Sequence, residues 1–143
     1  MIRKYEEKDL DIIMKIWQEE NINAHNFISK KYWENNYEYV KSILPKAEIL
    51  VYTINENIIG FIGLNDNYIE GIFIKKDFQG KGIGTELLKY LMKEKEELSL
   101  RVYEKNSKAI KFYTNNSFKI KTKELDKNTG EYEYLMKWNS NNK

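Results

Sequence analysis

The chain has 143 residues, of which 24 are Lys or Arg and 22 are Asp or Glu, for a formal net charge of +2. That length points to one domain, and a hydrophobic content of 41% with 14% aromatics suffices for one core and argues against disorder. The near balance of charge gives no electrostatic case for nucleic acid or an anionic membrane, and the absence of cysteine removes disulfides, thiol nucleophiles and Cys-ligated metals. The N-terminus is charged from Arg3 onward, and no apolar run approaches the roughly 20 residues of a membrane helix, so a soluble, cytoplasmic protein is expected.

In chain order, residues 1–5 read as a short strand, and Leu10, Ile13, Met14 and Trp17 share one helical face. Residues 21–28 break that period and are expected as a loop. Ser29 is placed to cap a second helix, in which Trp33, Tyr37 and Val40 align, and Pro45 ends it. Residues 48–54 and 58–64 are strands around the turn Asn55-Glu56-Asn57. Asn65-Asp66-Asn67 turns into a central strand carrying Ile72, Phe73 and Ile74. A glycine turn and a helix follow, then a strand at 98–103 and a short helix capped by Asn106 or Ser107 that ends near Asn115. Strands at 118–125 and 131–138 complete the chain, with no linker or internal repeat. The order β-α-α-β-β-β-α-β-α-β-β mixes hairpins with two crossover helices, which predicts a mixed sheet and the α+β class in one domain over residues 1–143.

The densest signal is Gln79-Gly80-Lys81-Gly82-Ile83-Gly84, with three of the seven glycines within five residues. Ile83, Leu87 and Leu91 then recur at helical spacing, with Leu88 and Met92 beside them. A strand that runs through glycines into a helix N-terminus is a device for holding phosphate. The first-turn N–H groups lack intrahelical partners, the helix dipole favours an anion there, and glycine lets the backbone come close. A Walker loop would need Ser or Thr after Gly80-Lys81, where Gly82 stands, and a dinucleotide fingerprint would need glycine where Thr85 stands.

The spacing Gln79-x-x-Gly82-x-Gly84 resembles the Gln/Arg-x-x-Gly-x-Gly/Ala signature of the GNAT N-acetyltransferase superfamily, whose element order is also the one read above. A second stretch supports the resemblance: Asn106-Ser107-Lys108-Ala109-Ile110-Lys111-Phe112-Tyr113, followed by Ser117-Phe118 where the family usually has Gly-Phe. His25, Phe27, Ile28, Tyr32 and Trp33 look closest to small bacterial members with His-x-Phe-Ile/Leu and Tyr-Trp after the first helix. The resemblance implies a sheet of about seven strands flanked by about four helices, and acetyl-CoA as acyl donor with no metal. It assigns the pyrophosphate to backbone N–H groups of Gly80, Lys81, Gly82, Ile83, Gly84 and Thr85, with Gln79 bracing the turn. Asn106 is expected to contact the cofactor, and Ile72, Phe73 and Ile74 to run beside its thioester arm. The resemblance puts the loop of His25 over the acceptor channel, alongside Phe27, Tyr32 and Trp33, which are expected to line the acceptor site.

The implied reaction is attack by an amine on a thioester. A lysine amine has a pKa of about 10.4, so its neutral form costs roughly 4–5 kcal/mol at pH 7, which desolvation or a base can reduce. A backbone N–H on the central strand would stabilise charge on the thioester oxygen. The leaving thiolate needs a proton, and a phenol with a pKa near 10 can donate one; Tyr113 of the Phe-Tyr pair is the expected general acid. Many relatives have a Glu base five positions before the motif Asn. Here that position is Arg101, which stays protonated, so Glu70 or a backbone-held water is the candidate base. The reading is an N-acetyltransferase acting on a peptide N-terminus, a protein lysine or a small-molecule amine, as a monomer or homodimer. The alternative is a non-catalytic acyl-CoA-binding regulatory module. Neither nucleic acid nor membrane is an expected partner.

Overall fold

Side-chain parity along seven strands sorts the core into two layers. The computed structural model describes residues 1–142. Its elements are β1 (Ile2–Lys4), α1 (Leu10–Ala24), α2 (Lys30–Ile43), β2 (Glu48–Ile54), β3 (Asn57–Asn65), β4 (Tyr68–Ile74), α3 (Ile83–Met92), β5 (Glu97–Tyr103), α4 (Ser107–Asn115), β6 (Lys119–Asp126) and β7 (Glu131–Asn139). The sheet order is β1-β2-β3-β4-β5-β7-β6, antiparallel throughout except for the parallel β4–β5 pair. The α+β architecture and the order of elements are as the sequence predicts.

Ile13, Met14, Trp17 and Trp33 of α1 and α2 pack with Ile49, Val51 and Phe61 on one face. Leu87, Leu88 and Leu91 of α3 pack with Leu50, Ile62, Leu98 and Leu100 on the other. Because both faces are covered, β3 is a continuous apolar run rather than an alternating one.

One stretch differs from expectation. Residues 21–24, predicted as loop, continue α1. The Asn21 side chain donates to the Trp17 carbonyl at 2.9 Å, and the His25 N–H returns to the Asn21 carbonyl at 3.0 Å, so the helix is carried one turn further by polar groups that hydrophobic periodicity does not register.

Two features position the cleft. In β4 the register against β3 shifts, with Gly63 opposite Gly71 but Leu64 opposite Ile69, so Glu70 is left as a bulge residue. A bulge bends and twists its strand. On the other edge β4 meets β5 at only two rungs, Tyr68↔Ser99 and Ile69↔Leu100. Beyond them the strands part, and Ile72, Phe73 and Ile74 are paired to β3 alone.

The second feature is the end of α4. Ser117 has φ of 73°, the Phe118 N–H reaches the Tyr113 carbonyl at 3.0 Å, and the Ser117 N–H reaches that of Thr114 at 3.1 Å. This is a Schellman cap, completed by the Tyr113–Phe118 ring contact at 5.6 Å. The cap fixes where Tyr113 points. Its left-handed residue is a serine where glycine is unstrained. Replacing it, Ser117→Gly, should therefore raise stability by about 0.5–1 kcal/mol and the melting temperature by about 1–4 °C, whereas Ser117→Val should lower both. Thermal unfolding of the two variants checks this; equal melting temperatures would contradict it.

Candidate active site

Where β4 and β5 part, the sheet opens into a cleft of about 630 Å³ bounded by α1, the glycine turn, β5 and α4. Its two ends have different chemistry.

At one end lies the start of α3. Gly82 is the N-cap, with φ of 83°, and the first helical bond runs from the Glu86 N–H to the Gly82 carbonyl at 3.0 Å. The N–H groups of Ile83, Gly84 and Thr85 precede that ladder and have no intrahelical partner. Gly80, with φ of 75°, and Gly82 each face open space, with no atom within 4 Å of where a Cβ would stand. A ligand can approach the backbone there, so these residues fit the pyrophosphate of acetyl-CoA. Gly84 serves a different need. A Cβ on it would lie 2.9 Å from Cζ of Phe112, so glycine lets α3 and α4 close together. The Lys81 ammonium lies over the Phe78 ring, 5.6 Å from its centroid.

Gln79 braces this end. Its amide donates to the Ile74 carbonyl at 2.8 Å and to Glu20 Oε1 at 2.9 Å, and its oxygen accepts from Lys108 Nζ at 3.0 Å. Glu20 on α1 was not singled out by sequence reasoning. It is only 8% exposed, and burial raises its carboxyl above the usual range. The available signal was its position one turn after Ile16 and Trp17, which puts a carboxylate on an apolar stripe.

Elsewhere in the cleft, the free edge of Ile72, Phe73 and Ile74 faces the interior, where Tyr113 forms part of the wall. Gly71 is required beside it, because a Cβ there would collide with the Phe73 ring. Tyr113 is 8% exposed, between the Phe112 and Phe118 rings. Burial, and secondarily the Tyr68 hydroxyl, raises its pKa above the usual phenol value, so it carries its proton at neutral pH.

Of the residues predicted over the acceptor channel, His25 and Trp33 line the cleft, while Phe27 and Tyr32 stand behind them. Phe27 meets His25 edge-on at 5.6 Å, and Tyr32 meets Trp33 edge-on at 4.9 Å. His25 stacks on Trp33, whose indole N–H is buried without a partner. His25 Nδ1 lies 3.0 Å from the Asn21 carbonyl, which can only accept, so Nδ1 carries the proton. Nε2 then accepts from Asn106 Nδ2 at 3.3 Å, while Asn106 Oδ1 accepts the Ala109 N–H at 3.2 Å as the cap of α4. Asn106, expected at the cofactor, thus also holds α4 and the single histidine.

Arg101 lies against the Tyr68 ring at 5.5 Å, and its Nε donates to Glu124 Oε2 at 3.3 Å. Glu70 is exposed at the cleft rim and accepts from Asn65 Nδ2 at 3.0 Å. A further carboxylate, Glu133 of β7, also lines the cleft and was missed, because nothing in its local sequence sets it apart from the charged residues around it.

Residues 10–118 match the model of the Acetyltransferase (GNAT) family, and the chain belongs to that family. Over 140 residues it is 28% identical to the peptidyl-lysine N-acetyltransferase YiaC of Escherichia coli, covering 96% of each chain. The solution structure of apo-form YjaB from Escherichia coli superposes with a TM-score of 0.86 at 25% identity, covering 96% of both chains. The fold is also shared by yncA from Salmonella typhimurium, solved with its cofactor acetyl-CoA, at a TM-score of 0.72 and 17% identity, covering 97% of this chain and 92% of that one. Among the described residues no helix is long and apolar enough to cross a membrane.

Two outcomes follow from this geometry. Gly82→Trp should leave the domain folded, at a cost of about 1–2 kcal/mol for the left-handed backbone, yet weaken acetyl-CoA binding at least tenfold by filling the open approach. Unchanged calorimetric affinity in a folded variant would remove this end from the cofactor site. Burial lowers the pKa of His25, so the folded state binds fewer protons than the unfolded state below about pH 6.5. The stability contributed by neutral His25 is present above that pH and is lost as pH falls through the folded-state value. Urea unfolding between pH 7.5 and 5 should show a shallower decline for His25→Gln than for wild type; identical slopes would contradict the assignment.

Proposed function

We propose that this acetyltransferase moves the acetyl group of acetyl-CoA to a primary amine by direct attack of the amine on the thioester. The observation that carries the proposal is one cleft joining an anion-receptive helix start to an unpaired strand edge, with a protonated phenol in its wall. Acetyl-CoA, when bound, supplies the acyl group in activated thioester form. The N–H groups of Gly80 to Thr85 hold its pyrophosphate, and Gln79 keeps that turn against α1 and β4. A backbone N–H on the segment Ile72, Phe73, Ile74 faces the thioester oxygen and opposes the charge that develops there. Tyr113 holds a proton at the leaving sulfur. Proton removal from the amine falls to the acceptor side of the cleft, where Arg101 cannot act as a base and Glu70 meets the incoming ammonium at the rim.

The acceptor class favoured is a lysine side chain in a peptide or protein, because relatives that share most of this chain's length are named peptidyl-lysine N-acetyltransferases. The deciding assay is amine-dependent CoA release by the purified protein across lysine peptides, polyamines and aminoglycosides. Acetyl-CoA binding with no release that depends on an amine would leave only a binding module; hydrolysis without an acceptor does not count.

Removing the hydroxyl alone, Tyr113→Phe, should keep the ring packing and hold acetyl-CoA affinity within a few-fold, but slow single-turnover acetyl transfer by roughly 10²-fold or more. Single turnover is the proper readout because slow product release would mask the loss in kcat. A wild-type rate in this variant would make Tyr113 a packing residue at a helix end.

A further inference from the structure

Glu133 has an unusual situation for a carboxylate. It lies on the wall of the cleft, half-buried, and what acts on it is burial first, then the charges of Asp126, Arg101 and Glu124, with no hydrogen bond among these influences. Its neighbours are paired with one another instead. Arg101 donates to Glu124, and Asp126 accepts from the Tyr103 hydroxyl at 2.6 Å. On the sides facing α2 and β4, the titratable groups whose pKa values respond to Glu133 are the phenols of Tyr32 and Tyr68. Among the described residues no cation is committed to Glu133 in an ion pair, so a half-buried carboxylate faces the cleft.

The register explains why it sits there. In the β5–β7 pair Tyr103 is opposite Glu133 and Arg101 opposite Leu135. Glu133 and Arg101 are therefore diagonal neighbours on the same face, the face toward α1 and α2, about 7–8 Å apart and within mutual reach of long side chains. A carboxylate on the adjoining strand thus lines the same wall of the cleft as Arg101.

We infer that Glu133 is the general base of this enzyme, receiving the acceptor's ammonium inside the cleft and removing its proton, while Glu70 acts only at the rim. The inference rests on the amine-acetyltransferase reading above. An incoming R–NH₃⁺ gives one proton to the Glu133 carboxylate. The freed lone pair forms the C–N bond as the C–S bond breaks, and the departing thiolate takes the proton of Tyr113. The second proton leaves the nitrogen for solvent, and exchange with solvent returns Glu133 and Tyr113 to their starting states. One amide, one thiol and one proton result. Burial raises the pKa of Glu133, the direction that makes a carboxylate a better proton acceptor.

The test measures kcat/KM against pH for a lysine peptide, with calorimetric acetyl-CoA affinity, for wild type, Glu133→Gln and Glu70→Gln. Both variants should bind acetyl-CoA as wild type does. Glu133→Gln should lose about 10²-fold or more at pH 7, and the loss should shrink as pH approaches the amine pKa of about 10.4, where the neutral amine no longer needs a base. Glu70→Gln should raise KM for the peptide by a similar factor at every pH, without the recovery at high pH expected of a lost base. Glu133→Asp, which keeps the carboxylate, should retain the wild-type shape of the profile at a reduced level. If Glu133→Gln folds poorly, a reduced kcat/KM in folded Glu133→Asp at unchanged acetyl-CoA affinity supports the inference, and a wild-type level and profile in Glu133→Asp overturns it. A wild-type profile in folded Glu133→Gln, or a larger loss in Glu70→Gln, also overturns it and leaves the acetyltransferase reading intact. Acetyl-CoA binding by wild type without transfer to any amine overturns both.

Discussion

The parting of β4 from β5 after two rungs is the constraint on which the site depends. A parallel pair buried under helices on both faces would ordinarily continue pairing, because each backbone group left without a partner away from water costs about 1–3 kcal/mol. Here the bulge at Glu70 turns β4 away, and the polar groups along Ile72, Phe73 and Ile74 open onto the cleft. An extended ligand laid along that edge can satisfy them. The same geometry explains two glycines whose value is spatial. Gly71 makes room for the Phe73 ring, and Gly60, across the ladder on β3, accommodates the Ile74 side chain.

The opening is held by side chains from segments far apart in sequence. Gln79 links α1, β4 and α4 through Glu20, the Ile74 carbonyl and Lys108. Asn106 and His25 make a second tie between the start of α4 and the end of α1. Each tie joins elements from opposite faces of the sheet at its split, the place where the sheet itself cannot hold them. The cleft carries charge of both signs: Lys108 and Glu20 meet at Gln79 beside the free N–H groups of α3, and Arg101 lines the wall with Glu70 and Glu133.

Much of this was legible in the chain itself, because the signals are local. Strand alternation, the turn residues Asn55-Glu56 and Asp66, the cap residues Ser29 and Asn106, and the glycine turn before an amphipathic helix each report a conformation decided within a few residues. The element order then constrains the sheet, since short connections make hairpins and helical crossovers make parallel neighbours. The free N–H groups of α3 could be anticipated for the same reason, since their position follows from where a helix starts, whereas Tyr113 was marked by the motif resemblance.

Register and burial decided the rest, and these arise only when distant segments meet. A bulge at Glu70 depends on how β3 and β4 pair, which no residue in β4 specifies alone. Glu133 looks like an ordinary surface carboxylate along the chain, and Glu20 only interrupts an apolar helical stripe; folding half-buries the one and buries the other beside a cleft. Gly84 reads as part of a phosphate loop, yet the contact that demands glycine is with Phe112, on another helix. The sequence by itself determined the elements, their order and the anion-receptive helix start, because backbone preference is local. Which carboxylates line the cleft was decided by tertiary structure, because desolvation and cross-strand neighbours are properties of the assembled sheet.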